Sequence, residues 1–158
     1  MSLDVDVATN GVRSPLSRRA VADAARATLR GERVRNALLS ITLLDRAAIA
    51  RLNRRHLGHT GDTDVISFAF TRPSTTDPVV GDVYIAPEVG RRNALARRRP
   101  VREELTRLVV HGTLHVLGYD HPDGDDREHS EMWKRQESIV RRLMRGGGAV
   151  GGGGGGAR

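Results

Sequence analysis

Residues 81–121 read GDVYIAPEVGRRNALARRRPVREELTRLVVHGTLHVLGYDH, and the order of signals within them sets the class of fold. Gly81-Asp82-Val83-Tyr84-Ile85-Ala86 has the β-branched and aromatic character of a strand. Pro87 then opens an arginine-rich helix, because the N–H that proline lacks would be unpaired at the first helical position in any case. Pro100 suits the N-terminus of a second helix, whose first turn carries Glu103 and Glu104 as counter-charges to the dipole. Leu105, Leu108, Val109 and two histidines follow, and Gly118 stops the helix.

Working outward, a polar loop with Pro73 and Pro78 precedes this block, and before it a strand runs from about Asp64 to Phe70 out of the turn-rich HTGDT. Leu3–Ala8 alternates as LDVDVA, a half-buried strand with Leu3, Val5 and Val7 on one face. Ser14-Pro15 is expected to open a helix, with Ser14 as its cap, that lasts to Gly31. Val34–Leu43 reads as another strand, and Asp45 caps a short helix through Ile49, Leu52 and Asn53 that ends near Gly58. Towards the C-terminus a final helix is expected from Asp126 to Met144. The fold class is therefore α+β: a small mixed four-stranded sheet packed by about five helices, in a single domain over residues 1–145. Residues 146–158, GGGAVGGGGGGAR, hold nine of the eighteen glycines and nothing to bury, so they read as a disordered tail.

A chain of 158 residues buries enough surface to fold without crosslinks. It has no cysteine, which excludes a disulfide framework, a thiolate zinc finger, an iron–sulfur centre and a cysteine nucleophile, and agrees with a cytoplasmic location. The acidic start lacks the apolar core of a signal peptide, and no apolar run is long enough to cross a bilayer. The net charge of +7 favours an anionic partner such as RNA. Lys134 is the only lysine among 26 basic residues, a bias that also fits a GC-rich coding sequence, so the charge is mild support.

The chemistry is concentrated in His111-Gly112-Thr113-Leu114-His115-Val116-Leu117-Gly118-Tyr119-Asp120-His121. Residues four apart on a helix share a face, so His111 and His115 can present ring nitrogens to one point. Such a pair alone is as readily a matter of chance. A chain reversal at Gly118 that returns His121 to the same point converts it into a three-imidazole site, the open form of a catalytic zinc centre. His56 and His59 read as loop residues and His129 as a helix-surface residue. Asp62 and Asp64 fit a turn and a strand start. Arg97-Arg98-Arg99, with Arg91, Arg92 and Arg102, is a solvated helix face or a grip on an RNA backbone, and Trp133 is a packing residue.

This eleven-residue motif resembles the signature of the YbeY family of zinc-dependent endoribonucleases. Leu52-Asn53 followed by Thr63-Asp64-Val65-Ile66-Ser67-Phe68 resembles the family's LN…T-[DN]-V-L-S-F segment. Gly81-Asp82-Val83-Tyr84-Ile85 resembles its GD-hydrophobic-x-I strand, and Glu128, Met132 and Glu137 fit the helix after the third histidine. The resemblance implies a small mixed sheet packed by helices, and His111, His115 and His121 as ligands of one zinc per chain. It further implies a single-strand endoribonuclease of 16S rRNA 3′ maturation and small-subunit quality control, with ribosomal RNA and the small ribosomal subunit as partners; no membrane is expected, and the sequence points to no protein partner.

Two positions qualify that inheritance. Many family members carry an arginine shortly after the LN pair, where this chain has His56-Leu57-Gly58, so either Arg54 or Arg55 binds RNA in its stead or the role is absent. Gly112 stands where zinc peptidases of the HExxHxxGxxH type have their glutamate base, which disfavours proteolysis and leaves the metal site intact. The nucleophile is then a zinc-activated water, whose pKa can fall to about 7. Asp120, adjoining the third ligand, is the catalytic candidate for orienting an imidazole or that water, or else an ordinary turn residue. The alternatives are a zinc metallopeptidase and a non-enzymatic ribosome-assembly factor.

Overall fold

A computed structural model describes residues 1–57, 63–121 and 128–155, those beyond 146 by backbone alone. Four strands form one sheet: β1 (Leu3–Asn10), β2 (Ala37–Leu44), β3 (Val65–Ala69) and β4 (Val79–Ile85). Their order is β1-β2-β4-β3, with β1, β2 and β4 parallel and β3 antiparallel to β4. The helices are α1 (Arg18–Gly31), α2 (Arg46–Leu57), α3 (Pro87–Ala96), α4 (Val101–Val116) and α5 (Glu131–Gly155). The architecture is the α+β fold expected from the sequence, with a mixed four-stranded sheet and five helices among the described residues.

Period-two patterning sets the buried face. In β2, Ala37, Leu39, Ile41 and Leu43 are buried while Leu38 and Ser40 face outward. The register aligns Val7, Ile41 and Val83 in one row, and α1 and α4 cover it with Val21, Ala24, Ala25, Leu105, Leu108 and Val109. On the other side of α4 lies α5, joined to it by Val110, Leu114, Met132, Ile139 and Val140. α4 is thus the central helix, between sheet and α5, and is buried along nearly its whole length from Glu104 to Val116. α2 seals a separate cluster of Leu44, Ile49, Ile66, Ala86 and Val89.

Several boundaries differ from the sequence reading. The cap of α1 is Ser17, whose hydroxyl accepts from the Ala20 N–H at 3.0 Å, whereas Ser14 accepts from Leu16 N–H in a preceding turn. Leu16 is buried before the helix begins, and its insertion into the core moves the start. β2 begins at Ala37 and not Val34, because the chain reverses through a positive φ of 62° at Arg33. β4 starts two residues early, at Val79. His56 lies in the last turn of α2 and not in a loop, its ring edge-on to Phe68 at 5.6 Å between centroids. α5 begins at Glu131 after a short 3₁₀ turn at Glu128 and His129, the expected start at Asp126 lying outside the described residues, and its backbone continues to Gly155, past the expected end at Met144. No helix among the described residues is long and apolar enough to cross a membrane.

Candidate metal centre

The last turns of α4 place His111 and His115 side by side, with ring centroids 4.6 Å apart. Leu117 N–H bonds back to the carbonyls of Thr113 and Leu114, and Gly118 follows with φ at +99°, a conformation that glycine adopts without steric cost. The reversal returns the chain so that the His121 ring sits 5.1 Å from each of the other two. One ring nitrogen from each histidine lies within 4.8 Å of the others.

Hydrogen bonds decide which nitrogen that is. His111 Nδ1 is 2.6 Å from Gln136 Oε1, and His115 Nδ1 is 2.9 Å from the Tyr119 carbonyl. Amide oxygens only accept, so both Nδ1 atoms carry the proton and donate, and the Nε2 lone pairs turn to the common point. Neutral imidazoles oriented through the second nitrogen are the donor set that borderline divalent ions such as zinc take. The three histidines therefore suit a divalent ion and could hold one.

Each orienting group is itself anchored. The Tyr119 hydroxyl donates to Glu32 Oε1 at 2.5 Å, and Glu32 pairs with Arg135 at 2.7 Å, tying the carbonyl that holds His115 to both α1 and α5. The bond to Glu32, with burial, raises the phenol pKa. Gln136 is 1% exposed, and its Nε2 donates to Glu137 Oε2 at 2.9 Å. Glu137 receives Arg107 in a bidentate fork, Nε at 2.8 Å and Nη2 at 3.0 Å. Arg107 also donates to Glu104 at 2.8 Å and Glu103 at 3.1 Å. Burial works against both charges, and their pairing outweighs it: the Arg107 pKa is raised, and the Arg107 and Gln136 bonds hold the Glu137 carboxyl below its ordinary range.

Glu104, expected as a dipole counter-charge in the first turn of α4, is buried at 1% exposure and serves three guanidiniums. Besides Arg107, these are Arg97 at 3.4 Å and Arg99 at 3.6 Å. Neither Gln136 nor this cluster was singled out from sequence as part of the site. The available signal was a glutamine on the apolar stripe Met132–Gln136–Ile139–Val140, where a polar side chain needs a buried partner.

The other sequence candidates fall as follows. The Asp120 carboxylate accepts from the His121 backbone N–H at 2.9 Å, and that described contact steadies the chain carrying the third histidine, not a ring. Arg54 and Arg55 are exposed on the last turn of α2, and neither lines the recess beside His111. Asp64 receives Asn93 Nδ2 at 3.3 Å and does line it. Trp133, expected as a packing residue, also faces that recess. Asp62 and His59 lie outside the described residues.

Gly112 has a packing reason as well as a chemical consequence. An ideal Cβ there would stand 2.6 Å from Val83 Cγ1 and 3.2 Å from Ser67 Oγ, whose hydroxyl donates to the Gly112 carbonyl at 2.9 Å. α4 lies so close to β3 and β4 that no side chain fits, which excludes a glutamate base at this position in this packing.

Comparison with known proteins agrees with this construction. Residues 7–144 match the family model described as "Endoribonuclease YbeY". Relatives of that printed name include one from Frankia alni, 39% identical over 112 residues covering 65% of this chain and 61% of its own, and one from Methylocella silvestris, 40% identical over 105 residues covering 66% and 58%. The chain thus spans about three fifths of the length of these curated relatives. The solution structure of TM1509 from Thermotoga maritima shares the fold, with a TM-score of 0.63 and 20% identity over 92% of this chain and 93% of that one. Since the family match runs from the middle of β1 into α5 and takes in all three histidines, the chain belongs to the YbeY endoribonuclease family.

Proposed function

We propose that the protein is a zinc-dependent endoribonuclease that cuts single-stranded RNA, acting in the cytoplasm on ribosomal RNA precursors of the small subunit, in 16S rRNA 3′ maturation and quality control. The observation that carries the reading is the convergence of His111, His115 and His121, with two of the rings fixed through Nδ1 by Gln136 and Tyr119. One zinc per chain would be held by these three. A bound divalent ion supplies Lewis-acid activation of water and offsets charge at the scissile phosphate.

What the chain's own residues contribute follows from their contacts. Gln136 and Tyr119 keep the imidazoles in one tautomer, so no reorganisation is needed when the ligand set is filled. Burial of His111 against α5 excludes water from one side of the site. Asp120 steadies the backbone of His121. The absence of a base at Gly112 favours phosphodiester over peptide hydrolysis.

The test is to incubate zinc-loaded and chelated protein with single-stranded RNA, duplex RNA and casein. Cleavage of single-stranded RNA alone, abolished by chelation and restored by zinc, is the expected result. Casein hydrolysis would establish the peptidase. Cleavage of neither, with Leu57→Arg restoring nothing, would leave a non-enzymatic assembly role on the small subunit.

A further inference from the structure

We propose that the recess beside His111 is a nucleotide subsite, in which Trp133 stacks on a base and Arg99 binds the adjoining phosphate; this rests on the RNA-cleaving reading above. The recess has a volume of about 300 Å³ and runs from His111 and Gln136 to the turn between α3 and α4. Three kinds of group meet on its wall: the indole of Trp133, the guanidiniums of Arg97, Arg99 and Arg107, and the carboxylates of Asp64, Glu104 and Glu128. A simple anion would meet three carboxylates, and an apolar ligand would strand the arginines. A nucleotide offers a partner to each, through its π face, its phosphate and the N–H donors of its base edge.

Arg99 is the phosphate ligand for a specific reason. Its Nη1 is buried and makes no hydrogen bond among the described residues. It stands 3.6 Å from Glu104 Oε1, an oxygen that already accepts from Arg107 at 2.8 Å. Nη1 thus lies on the Glu104 side, and the remainder of the guanidinium, on a side chain 32% exposed, is open to a phosphate oxygen. The aim of the side chain is fixed by the turn before it. Arg98 takes a positive φ of 54°, unusual for a residue with a side chain, and Arg99 N–H bonds back to the Ala94 carbonyl at 2.9 Å. That turn brings Arg97 and Arg99, on either side of it, to the same carboxylate.

Trp133 complements it from α5. Its neighbour Met132 is in the core and Gln136, one turn on, is buried against His111, while Trp133 itself is half-buried. An indole held from behind with one part open can receive a base, as in single-strand binding grooves.

Trp133 is the only tryptophan, so its emission reports the subsite directly. The zinc-loaded full chain is mixed in stopped flow with labelled single-stranded RNA, following indole emission and label anisotropy before turnover. Saturable quenching is expected, with an abasic ribose-phosphate strand binding without it. Arg99→Ala and Trp133→Ala should each weaken binding roughly tenfold, and Trp133→Phe should hold affinity near the native value. Zinc content and circular dichroism are read on every variant, and if an alanine variant loses its fold, Arg99→Gln and Trp133→Leu, which keep bulk without the charge or the aromatic face, take its place with the same roughly tenfold loss expected. Unchanged emission at saturating RNA, or affinities within twofold of native in folded Arg99→Ala and Trp133→Ala, would overturn the subsite. Quenching without subsequent cleavage would keep the subsite and remove the nuclease reading; cleavage without quenching would do the reverse.

Discussion

Gln136 Oε1 on α5 accepts from His111 Nδ1 on α4 at 2.6 Å, across the seam where the two helices bury Val110, Leu114 and Met132. The amide therefore converts helix packing into ring orientation. Gln136→Leu preserves volume and removes the acceptor, and should weaken zinc binding about 10- to 100-fold with the fold retained. Gln136→Glu, which keeps an acceptor, should lose less. Competition against a chromophoric chelator measures both, and native affinity in Gln136→Leu would contradict the coupling.

The zinc stoichiometry is a separate expectation. Metal analysis should find close to one zinc per chain, with His111→Ala, His115→Ala or His121→Ala each cutting occupancy strongly. His129→Ala, exposed before α5, should leave it unchanged. His56→Ala should also leave it unchanged, at the cost of a ring contact with Phe68. Full zinc in the His111→Ala/His115→Ala double variant would refute the ligand assignment.

Arg107 and Glu137 form a pair whose stability contribution has a definite pH window. Because the Glu137 carboxyl sits below its ordinary value of 4.5 when folded, its stabilisation is fully present above that value. It is lost as the pH falls through the lower, folded value. Chemical denaturation should therefore show stability falling with acidification below about 4.5, with a shallower fall in Glu137→Gln. Arg107→Met should cost about 3 kcal/mol, since it removes the fork from half-buried Glu137 and leaves buried Glu104 with only the longer contacts to Arg97 and Arg99.

How far the sequence carried these conclusions differs by residue. The alternation of β2, the stop at Gly118 and the histidine spacing are local signals, and the structure follows them. The Glu104 and Arg107 cluster was illegible because its meaning lies in tertiary partners. Arg107 reads as a solvated position until Glu137, 30 residues on, is brought against it. Ser14, followed by Pro15, has the local marks of a cap, and it is the burial of Leu16 that moves the helix start to Ser17. The arginine run 97–99 was ambiguous for the same reason, as its orientation depends on a left-handed turn at Arg98 that no residue type announces.

For the glycine-rich end, composition sets an expectation that truncation tests. An added Cβ at Gly146 meets nothing within 4 Å, and the glycines after it lack side chains with which to dock. Although the α5 backbone extends to Gly155, glycine disfavours a helix by about 1 kcal/mol per residue relative to alanine. Deleting residues 146–158 should leave the melting temperature within about 1 °C of the full chain. A drop of several degrees would show that this segment packs somewhere.

Gly112 makes the sharpest claim about fold and chemistry together. Gly112→Ala introduces a methyl 2.6 Å from Val83 Cγ1 and 3.1 Å from Val65 Cγ2, in the seam between α4 and the sheet. Neither valine has a flexible end to withdraw, so α4 must shift outward, at a cost of about 1–3 kcal/mol. Because His111 precedes Gly112 on the same turn, that shift also moves the ring relative to Gln136. Thermal denaturation should therefore fall together with zinc affinity in Gly112→Ala. The double variant Gly112→Ala/Val83→Ala, which reopens the space, should recover zinc affinity more fully than stability, since it leaves β4 with a truncated core residue. Gly112→Glu, which restores the peptidase pattern HExxH, should not confer casein hydrolysis, because a longer side chain in the same seam unseats the helix that carries the histidines. A stable Gly112→Glu protein with full zinc content would show that α4 does not rest on the sheet as closely as these distances require.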